Sequence, residues 1–226
     1  MPQNLIVTVL GRKASGKSTL VSKIIADAPR LIVIDTVGEY GQAQKIVPIH
    51  GIIECCDALA ACEKRATFRI SCRADETEDL LDLLNICYEL PNILLVVEET
   101  SFFCSPAFLP PEISKLVRYG RHREISQVYV SRRASEIHRE ITAQSDLIVS
   151  FEQREPRDIE YLAITSGQSP RALVAAFQRL PRYRCFVWGD VERAPLAVIE
   201  CMEGASTQLK IPLDNPPEDE VSLPEQ

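Results

Sequence analysis

Gly11-Arg12-Lys13-Ala14-Ser15-Gly16-Lys17-Ser18 is the stretch that decides the fold. It fits the pattern G-x-x-x-x-G-K-[ST], a phosphate-binding loop or P-loop. The apolar run Leu5-Ile6-Val7-Thr8-Val9-Leu10 precedes it, and Thr19-Leu20-Val21-Ser22-Lys23-Ile24-Ile25 comes after it with helical character. Strand, loop and helix in that order are the context the pattern needs. The glycines let backbone N–H groups turn inward around a polyphosphate, and the helix N-terminus adds the positive end of its dipole. Gly11, Ala14, Ser15, Gly16, Lys17, Ser18 and Thr19 are therefore the expected cradle. Lys17 is expected to reach the β- and γ-phosphates, and the Ser18 hydroxyl to ligate Mg²⁺. A chance Gly-rich turn would not come with both flanks and a complete Gly-Lys-Ser. The expected ligand is a nucleoside triphosphate.

Outward from the loop, apolar strands alternate with helical patterns. Strands are expected at 31–35, 67–71, 93–97, 127–131 and 146–151, and helices at 52–65, 76–90, 110–119, 135–144, 157–165 and 170–180. Segments 183–188 and 194–201 read as a terminal hairpin or two edge strands. Continuous apolar strands separated by helices predict an α/β fold, a mostly parallel central sheet covered by helices on both faces. Such sheets bind ligands at the carboxyl ends of their strands, where the loop, Asp35, Glu98 and Ser131 all fall. Residues 1–204 read as one P-loop domain and 205–226 as an acidic, Pro-rich tail expected to be flexible.

Bulk composition fits a globular protein. The chain has 226 residues, 46% hydrophobic and 25% charged, and no apolar run as long as a membrane span. The N-terminus lacks the basic region and cleavable apolar segment of a signal peptide. A net charge of −7 argues against a generic nucleic-acid coat. Charge is uneven, with Arg118, Arg121, Arg123, Arg132, Arg133 and Arg139 in one short region. The eight cysteines form no Cys-x-x-Cys pair and no zinc-type grouping. They read as small core residues of a reduced, cytoplasmic protein.

The second half of a triphosphate site is an acid ending a buried strand. Glu98-Glu99 comes directly after Leu94-Leu95-Val96-Val97. Adjacent residues on a strand end point to different sides, which suits two roles: Glu98 holding Mg²⁺ and Glu99 polarising the attacking water as general base. Asp35-Thr36-Val37-Gly38 has a rival reading as a GTPase switch. The short interval from Lys17 and the lack of an Asn-Lys-x-Asp motif weigh against it. A small-molecule kinase with an Arg-rich lid is a second rival, but the paired glutamates suit activation of water better.

The longer stretch from Leu31 through Asp35-Thr36-Val37-Gly38-Glu39-Tyr40 resembles the Asp-x-x-Gly-Glu-Tyr element of the HerA–FtsK superfamily of ATPases. The likeness continues in order. Glu98-Glu99 matches the Walker B position. Arg118-Tyr119-Gly120-Arg121-His122-Arg123 is similar to the basic segment before the next strand. Val128 to Ile137 is similar to the family's strand ending in Ser-Gln-Arg-Pro with its helix, and Ala143 to Ile148 is similar to the family's next segment. The resemblance covers roughly residues 4–165 and implies a RecA/FtsK-like fold, ATP and Mg²⁺ as cofactors, and hydrolysis. It further implies a homo-hexameric ring moving double-stranded DNA without sequence preference. Asp35 would belong to the nucleotide site, and Arg118 and Arg121 would complete a neighbour's site as arginine fingers. Arg132 stands where a sensor Gln is usual, so an arginine would act on the γ-phosphate, or the protein would be slow or a nucleotide-dependent switch. The small size resembles viral and phage genome-packaging ATPases, with a portal or membrane-vertex protein as partner and a host-cytoplasmic or virion-associated location.

Overall fold

The computed structural model describes residues 4–202. Eight strands and eight helices follow one another along the described chain. The strands are β1 (Ile6–Leu10), β2 (Arg30–Ile34), β3 (Val47–His50), β4 (Phe68–Arg73), β5 (Leu94–Val97), β6 (Ser126–Ser131), β7 (Leu147–Ser150) and β8 (Phe186–Gly189). The helices are α1 (Lys17–Ile24), α2 (Ile52–Cys62), α3 (Thr77–Glu89), α4 (Pro111–Tyr119), α5 (Arg139–Gln144), α6 (Pro156–Ser166), α7 (Pro170–Arg179) and α8 (Leu196–Met202).

The strands form a single sheet in the order β3-β4-β2-β5-β6-β1-β7-β8. Every pairing is parallel except β7 with β8. The inner strands are buried on both faces, as a parallel sheet requires. On one face Leu5, Val7, Val9, Leu31 and Val33 pack with Leu20, Val21 and Ile24 of α1 and Val198 of α8. On the other, Ile32, Ile34, Leu95 and Val97 pack with Leu83 and Leu84 of α3 and Ile113 and Leu116 of α4. Leu10, Ile148 and Phe186 complete that face against α6 and α7. Helices thus cover both faces, and the carboxyl ends of β1, β2, β5 and β6 carry Gly11, Asp35, Glu98 and Arg132 to one edge of the sheet.

Three elements depart from the sequence reading. Segment 194–201, expected as a strand, is helical: Pro195 opens the turn, its carbonyl accepting the Val198 N–H, and proline favours a helix start. Val198 is buried while Leu196 is 70% exposed, so the segment has one apolar side facing α1, not the alternation of a strand. Strand β3 has no signal in the sequence: four residues long and interrupted by Pro48, it lies at the sheet edge with Val47 60% exposed. The helix expected over 135–144 is two pieces, a 3-10 turn at Ala134–Glu136 and then α5, whose start is capped by His138 Nδ1 accepting the Glu140 N–H at 3.2 Å. All eight cysteines are free and six are buried. The tail expected at 205–226 lies outside the described residues.

Candidate nucleotide site

The loop between β1 and α1 is shaped by contacts that only small residues tolerate. Gly11 has φ +158°, and a Cβ there would lie 2.7 Å from both Phe151 Cβ and Ser15 Oγ. Gly16 has φ +114° and lies against the Phe151 ring, 3.1 Å from where its Cβ would be. Ala14 also adopts the left-handed region, at φ +60°. Phe151, fully buried just after β7, is therefore the floor on which the loop closes. Lys17 is 9% exposed. Its Nζ donates to the carbonyls of Gly11 at 2.6 Å and Arg12 at 3.1 Å, and no carboxylate lies within ion-pair distance among the described residues. Burial lowers its pKa, opposed by Glu99 and Glu98. A buried ammonium with only carbonyl partners, beside a buried Ser15 Oγ that has no partner at all, fits a polyphosphate.

The loop after β2 builds the acidic side. The Asp35 carboxylate, 1% exposed, accepts backbone N–H groups from Val37, Gly38, Glu39 and Tyr40 at 2.7–3.3 Å. It is committed to shaping its own loop, one step behind the site that the resemblance has it line. Two residues to which sequence reading gives no role are delivered by that loop. Glu39 accepts a hydrogen bond from the Ser18 hydroxyl. The Tyr40 hydroxyl donates to Glu98 Oε1, deep in the sheet edge. Glu98 is 5% exposed. Burial raises its pKa to about 7, against the lowering effect of the Tyr40 hydrogen bond; Glu39, Asp35 and Glu99 raise it further. Burial, with Glu98 beside it, also raises the Tyr40 pKa, so the phenol stays a donor.

Ser18 Oγ, Glu98 and Glu39 are hard oxygen donors at one corner, which suits Mg²⁺. Among the described residues no group of three His, Cys, Asp or Glu could hold an ion. The donor set is that of a metal carried mainly by phosphates and water, with the protein supplying one hydroxyl and a nearby carboxylate.

Glu99 faces the other way. It holds a left-handed backbone at φ 47°, ψ 51°, capping the 3-10 turn Thr100–Phe102. Such strain in a non-glycine residue costs of order 1–3 kcal/mol and clusters at functional sites. Its Oε1 accepts Arg132 Nε at 2.7 Å. Glu99 and Arg132 share a 490 Å³ cavity with Thr36, Arg73 and Phe102. Across the loop, a second cavity of 410 Å³ is lined by Gly16, Thr19, Leu20, Lys23, Tyr183 and Cys201. The Tyr183 ring, held at φ +66°, forms its wall.

The arginine run does not form one patch. Arg118, on the last turn of α4, pairs with Glu140, and Arg123 with Glu89. These residues and Arg121 precede β6, at the amino ends of the strands, where Ser126 N–H bonds the Ile93 carbonyl. The length of β6, about 17 Å at ~3.3 Å per residue, separates them from the loop of their own chain. Arg132 comes after β6, at the opposite edge, and Arg133 is spent on Asp158, which is 1% exposed. Arg121 has no carboxylate partner among the described residues. Arg118 and Arg121 thus reach no P-loop of the same chain.

No protein-family model matches the chain, and no curated protein matches it. Solved structures do. The genome packaging NTPase B204 from Sulfolobus turreted icosahedral virus 2, in complex with AMP, superposes with a TM-score of 0.67 at 18% identity, covering 86% of this chain and 96% of that one. The DNA-packaging ATPase B204 from Sulfolobus Turreted Icosahedral Virus gives 0.62 at 18% identity, with coverage of 86% and 96%. VirB4 of Thermoanaerobacter pseudethanolicus gives 0.57 at 12% identity, with coverage of 84% and 90%. The chain has the fold of these viral packaging NTPases, as the motif order from Gly11 to Ile148 implies. At these identities the likeness concerns the fold.

Proposed function

We propose that this protein is an ATP-hydrolysing motor of HerA–FtsK type that moves double-stranded DNA, in the manner of a viral or phage packaging ATPase. The observation that carries the reading is the placement of a buried Lys17, with no carboxylate partner among the described residues, between a closed P-loop and the paired acids Glu98 and Glu99. Fold neighbours named as packaging NTPases, one of them solved with ATP-gammaS and AMPPCP, support it.

Lys17 leaves the carbonyls of Gly11 and Arg12 for the β- and γ-phosphates, which bond better and neutralise its charge. Ser18 and Glu98 would hold Mg²⁺, which would supply charge neutralisation at the phosphates. Binding there requires Ser18 to release Glu39 and Glu98 to be ionised. Glu99 takes the proton of the attacking water. Its partner Arg132 is drawn to the γ-phosphate, an exchange that frees the base as it stabilises the transferring charge. Arg118 and Arg121 serve the neighbouring copy in a homo-hexameric ring, since their own site is out of reach. Basic side chains lining such a ring grip DNA phosphates without reading sequence. No helix among the described residues is long and apolar enough to cross a membrane. A portal or membrane-vertex protein is the partner this reading assigns.

The Glu99–Arg132 ion pair favours a second reading, a nucleotide-dependent switch with little turnover. Hydrolysis with and without duplex DNA separates the two. The motor shows DNA-stimulated turnover that Glu99→Gln lowers by ~10²–10⁴, whereas the switch binds ATP and turns over slowly in both conditions.

A further inference from the structure

A third cavity, of 480 Å³, lies on the outer side of the P-loop. Five cations line it: Arg12, Lys13, Arg154, Arg182 and Arg184. The one carboxylate in its wall, Glu152, is shared by Arg12 at 3.4 Å and Arg154 at 2.7 Å. Lys13, Arg182 and Arg184 meet no carboxylate within ion-pair distance among the described residues; Arg182 instead stacks over the Tyr183 ring at 4.7 Å. A surplus of four positive charges in one cavity is out of keeping with a chain of net charge −7. Concentrated like charges raise the free energy of the folded state unless something anionic covers them.

The described chain ends near this spot. The Arg184 guanidinium donates to the Glu200 carbonyl at 2.6 Å. Cys201 lines the neighbouring cavity together with Tyr183 and Arg184, which also line the basic one. The described chain therefore leaves at Met202 beside the basic cavity. Residues 203–226 contain six acidic side chains and one lysine, with Asp214 and Glu218-Asp219-Glu220 near their middle. Eleven residues lie between Met202 and Asp214, and the twelve steps span up to about 40 Å at ~3.3 Å per residue. That is ample for a cavity that shares Tyr183 and Arg184 with the one Cys201 lines.

We propose that the acidic stretch 214–220 of the same chain docks in the basic cavity formed by Arg12, Lys13, Arg154, Arg182 and Arg184. The contact is electrostatic, holds the 181–184 segment against the P-loop, and weakens with salt as exposed ion pairs do. The cavity shares Ala14 and Ser15 with the nucleotide cradle, and the contact does not depend on whether bound nucleotide is hydrolysed.

The test is zero-length carbodiimide coupling of the full chain at low salt, mapped by mass spectrometry. Lys13 is the one amine in the cavity, and its expected product is an amide to Asp214, Glu218, Asp219 or Glu220. The product should fall at least severalfold at 0.5 M salt, in Arg154→Glu/Arg182→Glu, and in Glu218→Gln/Asp219→Asn/Glu220→Gln. The last variant leaves the cavity untouched, so misfolding of the first does not decide the matter. In a mixture of ¹⁵N-labelled and unlabelled protein, each coupled pair should carry a single label. Coupling of Lys13 to Glu152 alone, equal coupling of the acidic stretch to Lys64 and Lys115, or label-mixed pairs would overturn the proposal. So would duplex DNA binding that needs Arg154 and Arg182 but is unchanged when the acidic stretch is neutralised, which would make the cavity a nucleic-acid surface.

Discussion

Glu98 is an acid whose surroundings favour the protonated form, and that has a measurable consequence. Its ordinary pKa is 4.5 and burial pushes it up to about 7. Between those values the folded protein keeps a proton that the unfolded chain has lost. Stability from this group is therefore fully present below about pH 4.5, falls as pH rises towards 7, and is level beyond. The loss is about 3 kcal/mol at ~1.4 kcal/mol per pH unit. Urea denaturation of the metal-free protein at pH 5 and pH 8 should show it, and Glu98→Gln should flatten the profile; parallel profiles for the two proteins would contradict the burial argument. A second residue-scale expectation concerns Arg132. If it passes from Glu99 to the γ-phosphate, Arg132→Gln loses the restraint and the charge stabilisation together. The ratio of DNA-stimulated to basal turnover should then fall towards one, as steady-state rates would reveal. Much of this site is legible in the sequence, because Gly-x-x-x-x-Gly-Lys-Ser and an acid pair ending an apolar strand are local patterns. The roles of Glu39 and Tyr40 are not. They depend on how Asp35 gathers four backbone N–H groups, which brings two surface-type residues back over the strand ends.

Elements of this fold are specified to different degrees. The buried strands β1, β2, β5 and β6 are continuous apolar runs and announce themselves. Strand β3 and helix α8 do not, since both lie at the margins, where half the side chains meet water and apolar periodicity fades. The loop after β2 is an element held by one residue. Asp35→Ala leaves four buried or half-buried N–H groups without an acceptor and should cost roughly 3 kcal/mol or more. It should also loosen Glu39 and Tyr40 and so weaken Mg²⁺–nucleotide binding, both effects being readable by calorimetry. Gly189 ends β8 at φ +111°, and a Cβ there would lie 2.0 Å from the Asp146 carbonyl oxygen. Gly189→Ala should destabilise the β7–β8 pairing by more than ~1 kcal/mol, with a lowered melting temperature and no change in the nucleotide affinity of the protein that remains folded.

At the scale of the whole molecule, the sheet separates two chemistries. Its carboxyl edge carries the P-loop and the acids, while its amino edge carries Arg118 and Arg121. A sequence with six arginines within 22 positions suggests one basic patch, but β6 runs between Arg118, Arg121 and Arg123 on one side and Arg132 and Arg133 on the other, and sends them to opposite edges. That separation makes the proposed ring testable by complementation. Glu99→Gln and Arg118→Ala/Arg121→Ala should each be inactive alone. Mixed, they should regain part of the turnover, because some interfaces join an intact base to an intact arginine pair. Mixtures no more active than either parent would remove these arginines as fingers.

The central claim is that the P-loop and the two glutamates form a hydrolytic site coupled to DNA. Its most direct test is steady-state ATP hydrolysis by the purified protein with Mg²⁺, with and without double-stranded DNA, beside Glu99→Gln. Turnover should rise with DNA and be lost in the variant while ATP still binds. Hydrolysis that ignores both DNA and the loss of Glu99, or ATP binding with no hydrolysis in either condition, would contradict it.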